Sequence, residues 1–118
     1  MTESTRKPTV LEDGDELESF VAAHEVALVE LYTKGCSTCQ AMEPVLGNVA
    51  RETGVPIGLL NPGDDLALVD RFDVTSVPQL VLFEEGKRVG SIADGFLGAE
   101  AVVDFLETHV PSALDGEA

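Results

Sequence analysis

A chain of 118 residues with 7 basic and 22 acidic side chains has a net charge of −15 at pH 7. That sign excludes a nucleic-acid surface and opposes binding to an anionic membrane. The length fits one domain, which buries roughly two-thirds of its unfolded surface and needs no cross-link to fold, and two cysteines are too few for a disulfide scaffold.

Residues 1–9 are polar and read as a flexible lead-in with no apolar core of a signal peptide. Val10-Leu11 reads as a short edge strand. Asp15 to Glu18 fits an acidic capping box, with Asp15 as the N-cap and Glu18 at the third helical position. The helix it opens carries Leu17, Phe20 and Val21 on one face and ends near His24. Val26 to Tyr32 is an almost continuous apolar run, the pattern of a buried central strand. Glu30 breaks that run.

From Cys36 the period becomes helical, through Cys39, Met42, Leu46 and Val49. Pro44 lies inside the pattern and is expected to kink this helix or end its first part. Gly54 suits the residue just past its end. Val55 to Leu60 is the next strand, weakened by Pro56 and Gly58. Asn61-Pro62-Gly63 is a turn. Asp65 to Phe72 is a short helix with Leu66, Leu68, Val69 and Phe72 as core positions. Gln79 to Glu84 is a strand, Glu85-Gly86 a hairpin turn, and Arg88 to Ala93 the returning strand. Gly95 and Gly98 flank a loop. Glu100 to His109 is the last helix, with Val102, Val103 and Leu106 toward the sheet, and Pro111 stops it.

The order (β)αβαβαββα predicts a three-layer α/β/α domain over residues 10–110, with a short tail at 111–118. Two βαβ units with right-handed crossovers give parallel strands, and the final hairpin adds an antiparallel one. No 18-residue apolar run is present. No phosphate-binding glycine loop and no HExxH zinc motif occurs either.

Cys36 and Cys39 form the only cysteine pair, spaced as CxxC. That spacing fits a redox couple, half of a metal site or a structural staple. A metal site would have to recruit His24 and His109, which lack the short spacing of a zinc knuckle. The setting is more telling: a CxxC directly after a buried strand, opening a helix, in a βαβ context resembles the thioredoxin motif. Pro44 stands five residues after Cys39, like the helix proline of thioredoxins. Ser76-Val77-Pro78-Gln79 is similar to the family loop whose proline is cis and packs against the active disulfide. Glu30, six residues before Cys36, stands where thioredoxins carry a buried aspartate. Gly95 resembles the glycine of a substrate-accepting loop. The resemblance spans roughly residues 10–110.

It implies a thioredoxin-like fold with a mixed central sheet, and a thiol–disulfide oxidoreductase that reduces protein disulfides through a reversible Cys36–Cys39 couple. It also implies no bound cofactor, electrons supplied by a thioredoxin reductase, and action as a monomer. Cys36, at a helix N-terminus whose free N–H groups and dipole favour a thiolate, is the expected nucleophile. Cys39, one turn further in, is the expected resolving thiol, and Glu30 a candidate acceptor of its proton. Gly35, Ser37, Thr38, Val77, Pro78 and Gly95 are the expected substrate-docking positions. Lys34 is a possible thiolate modulator. Departures from the family pattern are equally specific. Ser37-Thr38 replaces the usual Gly-Pro, Gly35 stands where a tryptophan is usual, and Leu31-Tyr32 stands for an aromatic pair. The lysine that usually neighbours the buried acid is missing, with Gly58 near its position. Other uses of the same frame are an adaptor domain without turnover, or a disulfide isomerase or glutaredoxin-like enzyme.

The charge carries a further expectation. Self-repulsion at −15 destabilises a compact fold at low salt, and salt screens it. The composition therefore points to a halophilic, acidic protein of a high-salt cytoplasm.

Overall fold

The computed structural model describes residues 7–63 and 65–110. Nine elements follow one another: β1 (Thr9–Leu11), α1 (Gly14–Ala23), β2 (Val26–Leu31), α2 (Ser37–Thr53), β3 (Ile57–Leu60), α3 (Leu66–Phe72), β4 (Gln79–Glu84), β5 (Lys87–Ile92) and α4 (Ala99–His109). Most of the expected lead-in, and all of the expected tail with its Pro111 stop, lie outside the described residues.

The strands form one sheet in the order β1-β3-β2-β4-β5. β1, β3 and β2 run parallel, as two βαβ units require. β4 runs antiparallel to β2, and β5 antiparallel to β4. The reversal of direction therefore comes at β4, the first strand of the hairpin, and not at its returning strand, where it was expected. The chain between β3 and β4, with only the seven-residue α3 in it, returns β4 on the far side of β2.

Alternation along β2 separates two cores. Ala27, Val29 and Leu31 face α1 and α3, and pack with Leu17, Val21, Leu68, Phe72, Val81 and Phe83. Leu28 faces α2 and α4, and packs with Met42, Leu46, Val49, Ile57, Leu59, Leu80, Leu82, Val102 and Leu106. Helices on both faces explain why β2 reads as a nearly unbroken apolar run.

The helix ends show where local sequence is ambiguous. α1 is capped by Asp13, not Asp15: its side chain accepts the Glu16 N–H at 2.9 Å, and Glu16 Oε1 accepts the Glu12 N–H at 2.8 Å. The chain offers two overlapping D-x-x-E boxes, and the earlier one is used. α2 runs through Pro44 without ending, to Thr53. Gly54 then takes φ 76° and its N–H bonds the Ala50 carbonyl, a left-handed cap that glycine adopts without a Cβ penalty. β3 begins at Ile57, two residues later than expected, although the Pro56 carbonyl already accepts the Leu28 N–H. In α3, Leu68 and Phe72 are buried, but Leu66 is 73% exposed and is not a core residue. It directly follows the Asp65 cap, on the outer side of a helix only two turns long.

Leu46 is fully buried where α2 crosses the sheet, so it fixes the height of the helix that carries the cysteines. Leu46→Ala is expected to lower unfolding free energy by about 2–5 kcal/mol, the cost of a buried leucine cavity. Urea unfolding curves of the two proteins measure it.

Candidate active site

β2 ends inside the sheet, with the Tyr32 N–H donating to the Leu60 carbonyl at 3.1 Å. The chain then leaves the sheet edge-on and turns at Gly35, whose φ of 79° is open to glycine with little strain. Cys36 follows as the N-cap of α2 in extended conformation. Its carbonyl accepts the Gln40 N–H at 3.1 Å, and its Sγ accepts the Cys39 N–H at 3.0 Å. The sulfur thus occupies the place where Ser or Asp oxygens usually cap a helix. Cys36 is half-buried, while Cys39 is 3% exposed. The two are joined as a disulfide with a Cα–Cα distance of 5.2 Å, within the normal span of such a bond.

Glu30 is 1% exposed. It shares the α2 face of β2 with Leu28, and its sheet neighbours are Leu59 on β3 and Leu80 on β4. Its Oε2 has no hydrogen-bond partner among the described residues. Leu59 therefore stands beside the buried acid, where Gly58 was expected. Gly58 faces the other way, where a Cβ would meet Leu11 and Phe20. The parity of one strand residue decides this.

The Val77–Pro78 bond is cis, with Pro78 buried and Val77 partly exposed. Ser37 and Lys34 are exposed, and Thr38 is partly so. Gly95 has φ 83° in the loop between β5 and α4. That loop is held to α2: the Leu97 N–H lies 3.3 Å from Met42 Sδ, which accepts it. Phe96, next to Gly95, is 54% exposed. From sequence, Met42 reads only as a core position, and Phe96 is not among the expected docking residues. An aromatic residue directly after a loop glycine was the available signal.

The histidines are elsewhere. His24 packs edge-on against Phe20 and His109 against Phe105, at the far ends of α1 and α4. The four-ligand set with Cys36 and Cys39 is not assembled. Among the described residues no three metal-ligating side chains come together, and no helix is long and apolar enough to cross a membrane.

Residues 8–108 match the family model of thioredoxin. The chain belongs to the thioredoxin family. A thioredoxin of Chlamydia pneumoniae is 29% identical over 97 residues, covering 81% of this chain and 93% of that protein. One of Mycobacterium tuberculosis is 28% identical over 115 residues, covering 95% and 98%. The solved structure of a mutant thioredoxin from Halobacterium salinarum superposes with a TM-score of 0.81 at 28% identity, covering 90% of this chain and 93% of its own. With the cysteine pair at bonding distance, this member of the family is a thiol–disulfide oxidoreductase, a protein-disulfide reductase working through the Cys36–Cys39 couple. The staple, metal and adaptor uses of the pair give way to that one.

The electrostatics of the site centre on Glu30. Burial pushes its carboxyl from 4.5 up to about 8, and the like charge of Glu43 on α2 adds to the rise. The folded state therefore holds the proton more tightly than the unfolded chain. Stability from this group is complete below about pH 4.5 and is lost as pH rises, by about 1.4 kcal/mol per pH unit, until the loss saturates near pH 8. Glu30→Gln, neutral and of equal length, is expected to be the more stable protein at pH 7 and to converge with the parent below pH 4.5. Urea midpoints across that range test it; a gap independent of pH would show that folding leaves the proton affinity of this carboxyl unchanged.

Proposed function

We propose that Cys36 is the attacking thiol of this reductase, Cys39 the resolving thiol and Glu30 the acceptor of its proton. One observation carries the assignment: Cys36 is open to a partner, while Cys39 lies nearly closed one turn deeper, on the helix that covers the buried carboxyl. Starting from the dithiol, the Cys36 thiolate attacks one sulfur of a substrate disulfide, and the other substrate sulfur leaves as a thiolate. Cys39 then gives its proton to the Glu30 carboxylate and attacks Cys36 Sγ. The second substrate sulfur leaves with the electron pair. The substrate has gained two electrons, and the protein holds the Cys36–Cys39 disulfide. Both leaving thiolates take protons from solvent. A thioredoxin reductase, a flavoprotein using NADPH or a ferredoxin-linked enzyme, returns the couple to the dithiol.

Substrate docks on Gly35, Ser37, Thr38, Val77, Pro78 and Gly95, and we add Phe96 to that surface. The exposed aromatic ring supplies apolar area that Gly35 cannot. Lys34 contributes the nearest exposed positive charge on the chain before Cys36. The working unit is the domain at 10–110, acting as a monomer on disulfide-containing proteins, without nucleic acid or membrane.

We place it in a high-salt cytoplasm. The charge of −15 supports this, as does the likeness to a Halobacterium thioredoxin. A thermal midpoint that climbs from millimolar to molar KCl is the expected result, since salt screens the self-repulsion. A falling midpoint would argue against the placement.

Trapping tests the roles directly. Cys39→Ser is expected to accumulate a mixed disulfide with substrate, and Cys36→Ser to form none. In the otherwise intact protein, Glu30→Gln is expected to slow resolution by about a hundredfold, the lower end for a positioned base. Rapid-quench alkylation reads all three. Unchanged resolution in Glu30→Gln would remove Glu30 from the mechanism.

A further inference from the structure

The loop at 93–98, between β5 and α4, carries two of the docking positions, Gly95 and Phe96, and little holds it in place. Among the described residues, 94–97 exchange no hydrogen bond with another backbone group. Gly95 takes φ 83°, and Gly98 caps α4 without a side-chain hydrogen bond. Two glycines give such a loop a wide choice of conformations once it is released. The hydrogen bond that 94–97 does make crosses to another element, from the Leu97 N–H to Met42 Sδ at 3.3 Å. Met42 is fully buried and stands three residues after Cys39, on the same side of α2. Leu97 is partly buried against the core that contains Met42, while Phe96 beside it points its ring into the open.

We propose that Met42 is a positioning residue for protein substrates: its sulfur ties the 93–98 loop to the cysteine helix, so that Phe96 is held ready to receive a partner. The inference rests on the docking role given above to Gly95 and Phe96. The peptide unit explains how one bond does this. The Leu97 N–H lies in a rigid plane that ends at the Cα of Phe96, so fixing the N–H fixes where the aromatic side chain starts. Packing alone does not ask for sulfur here. A leucine fills a methionine's space in a core at small cost, but offers no acceptor. Without the sulfur, the Leu97 N–H must find water, and the loop opens to reach it. A partner then meets the docking surface assembled only part of the time, and its apparent affinity falls by that fraction. A small disulfide, which reaches the sulfurs without covering the loop, feels this much less. Met42 thereby sets a preference for protein disulfides over small ones, without touching substrate.

The test replaces the sulfur atom. The chain has two methionines, Met1 and Met42, so growth on norleucine puts a methylene at both and changes nothing else. Selenomethionine at the same positions keeps an acceptor, and Met42→Leu leaves Met1 as it is. Each full-length protein is read by hydrogen exchange of the Leu97 amide and by single-turnover reduction of insulin and of cystine by the dithiol form. In the norleucine protein the Leu97 amide is expected to exchange about two- to fivefold faster, the lower part of the range for one net hydrogen bond, since a thioether is a weak acceptor. The half-saturating insulin concentration is expected to rise by the same factor, and the ratio of insulin to cystine reduction to fall by it. Met42→Leu is expected to follow the norleucine protein, and the selenomethionine protein the parent. An unmoved Leu97 exchange, equal slowing of insulin and cystine, or a selenomethionine protein that follows norleucine overturns the inference. Phe96→Ala separates this result from the reading beneath it. If Phe96→Ala raises the insulin half-saturation and norleucine does not, the tether alone is removed. If Phe96→Ala binds insulin like the parent, the docking role of the loop falls, and the inference with it.

Discussion

β2 is hydrogen-bonded along both edges, to β3 in parallel and to β4 antiparallel, and it is covered by helices on both faces. A strand held on four sides can keep a carboxyl at its centre where a strand at the edge would let it swing to water. The site depends on that confinement. Glu30 is buried because Leu59 and Leu80 flank it and α2 lies over it. α2 lies over it because Met42, Leu46 and Val49 anchor the helix to the same face. The cysteines then take their places from the start of that helix. Deep burial of one acid and partial exposure of one thiol are thus two results of a single packing arrangement.

The charge distribution works at two ranges. Over the whole surface the net charge of −15 is a diffuse repulsion that counterions can neutralise. At the site the relevant charge is local, two carboxyls of unequal exposure on adjacent elements. Where a lysine beside the buried acid would pull its proton off, Leu59 offers nothing, and a like charge on α2 pulls the other way. Arg71, which pairs with Glu18, and Arg88 both lie over the ring of Phe72, which belongs to the core on the opposite face of the sheet from Glu30.

Much of this was legible in the chain. The apolar run with Glu30 in it, the CxxC at the strand end, Pro44 and the Val77-Pro78 pair each sit where their sequence context placed them. These are features whose signal lies within a few residues. The misplacements share the opposite property. Asp13 and Asp15 open equally good boxes, and nothing within the two motifs says which one starts the helix. Leu66 and Leu68 are both apolar, and a helix of seven residues is too short for periodicity to say which faces in. Gly58 and Leu59 differ by one residue and so by one face of the sheet, and which of them stands beside Glu30 depends on strand register. The direction of β4 has no local code at all. Met42 and Phe96 escaped notice as parts of the site because their importance comes from a loop that is distant in sequence: a methionine reads as core until a backbone N–H some fifty residues on is seen to end on its sulfur.

The Sγ of Cys36 receives its hydrogen bond from the backbone of Cys39, the residue with which it also exchanges a covalent bond. Donor and chemical partner are one residue on one helical turn. When the sulfur–sulfur bond is opened, the sulfur that gains charge already has its dipole in place, fixed by the helix rather than recruited from solvent or from a side chain that must rotate. The donor that a charged sulfur needs is thus built into the backbone of the first helical turn, and no side chain has to be ordered to supply it.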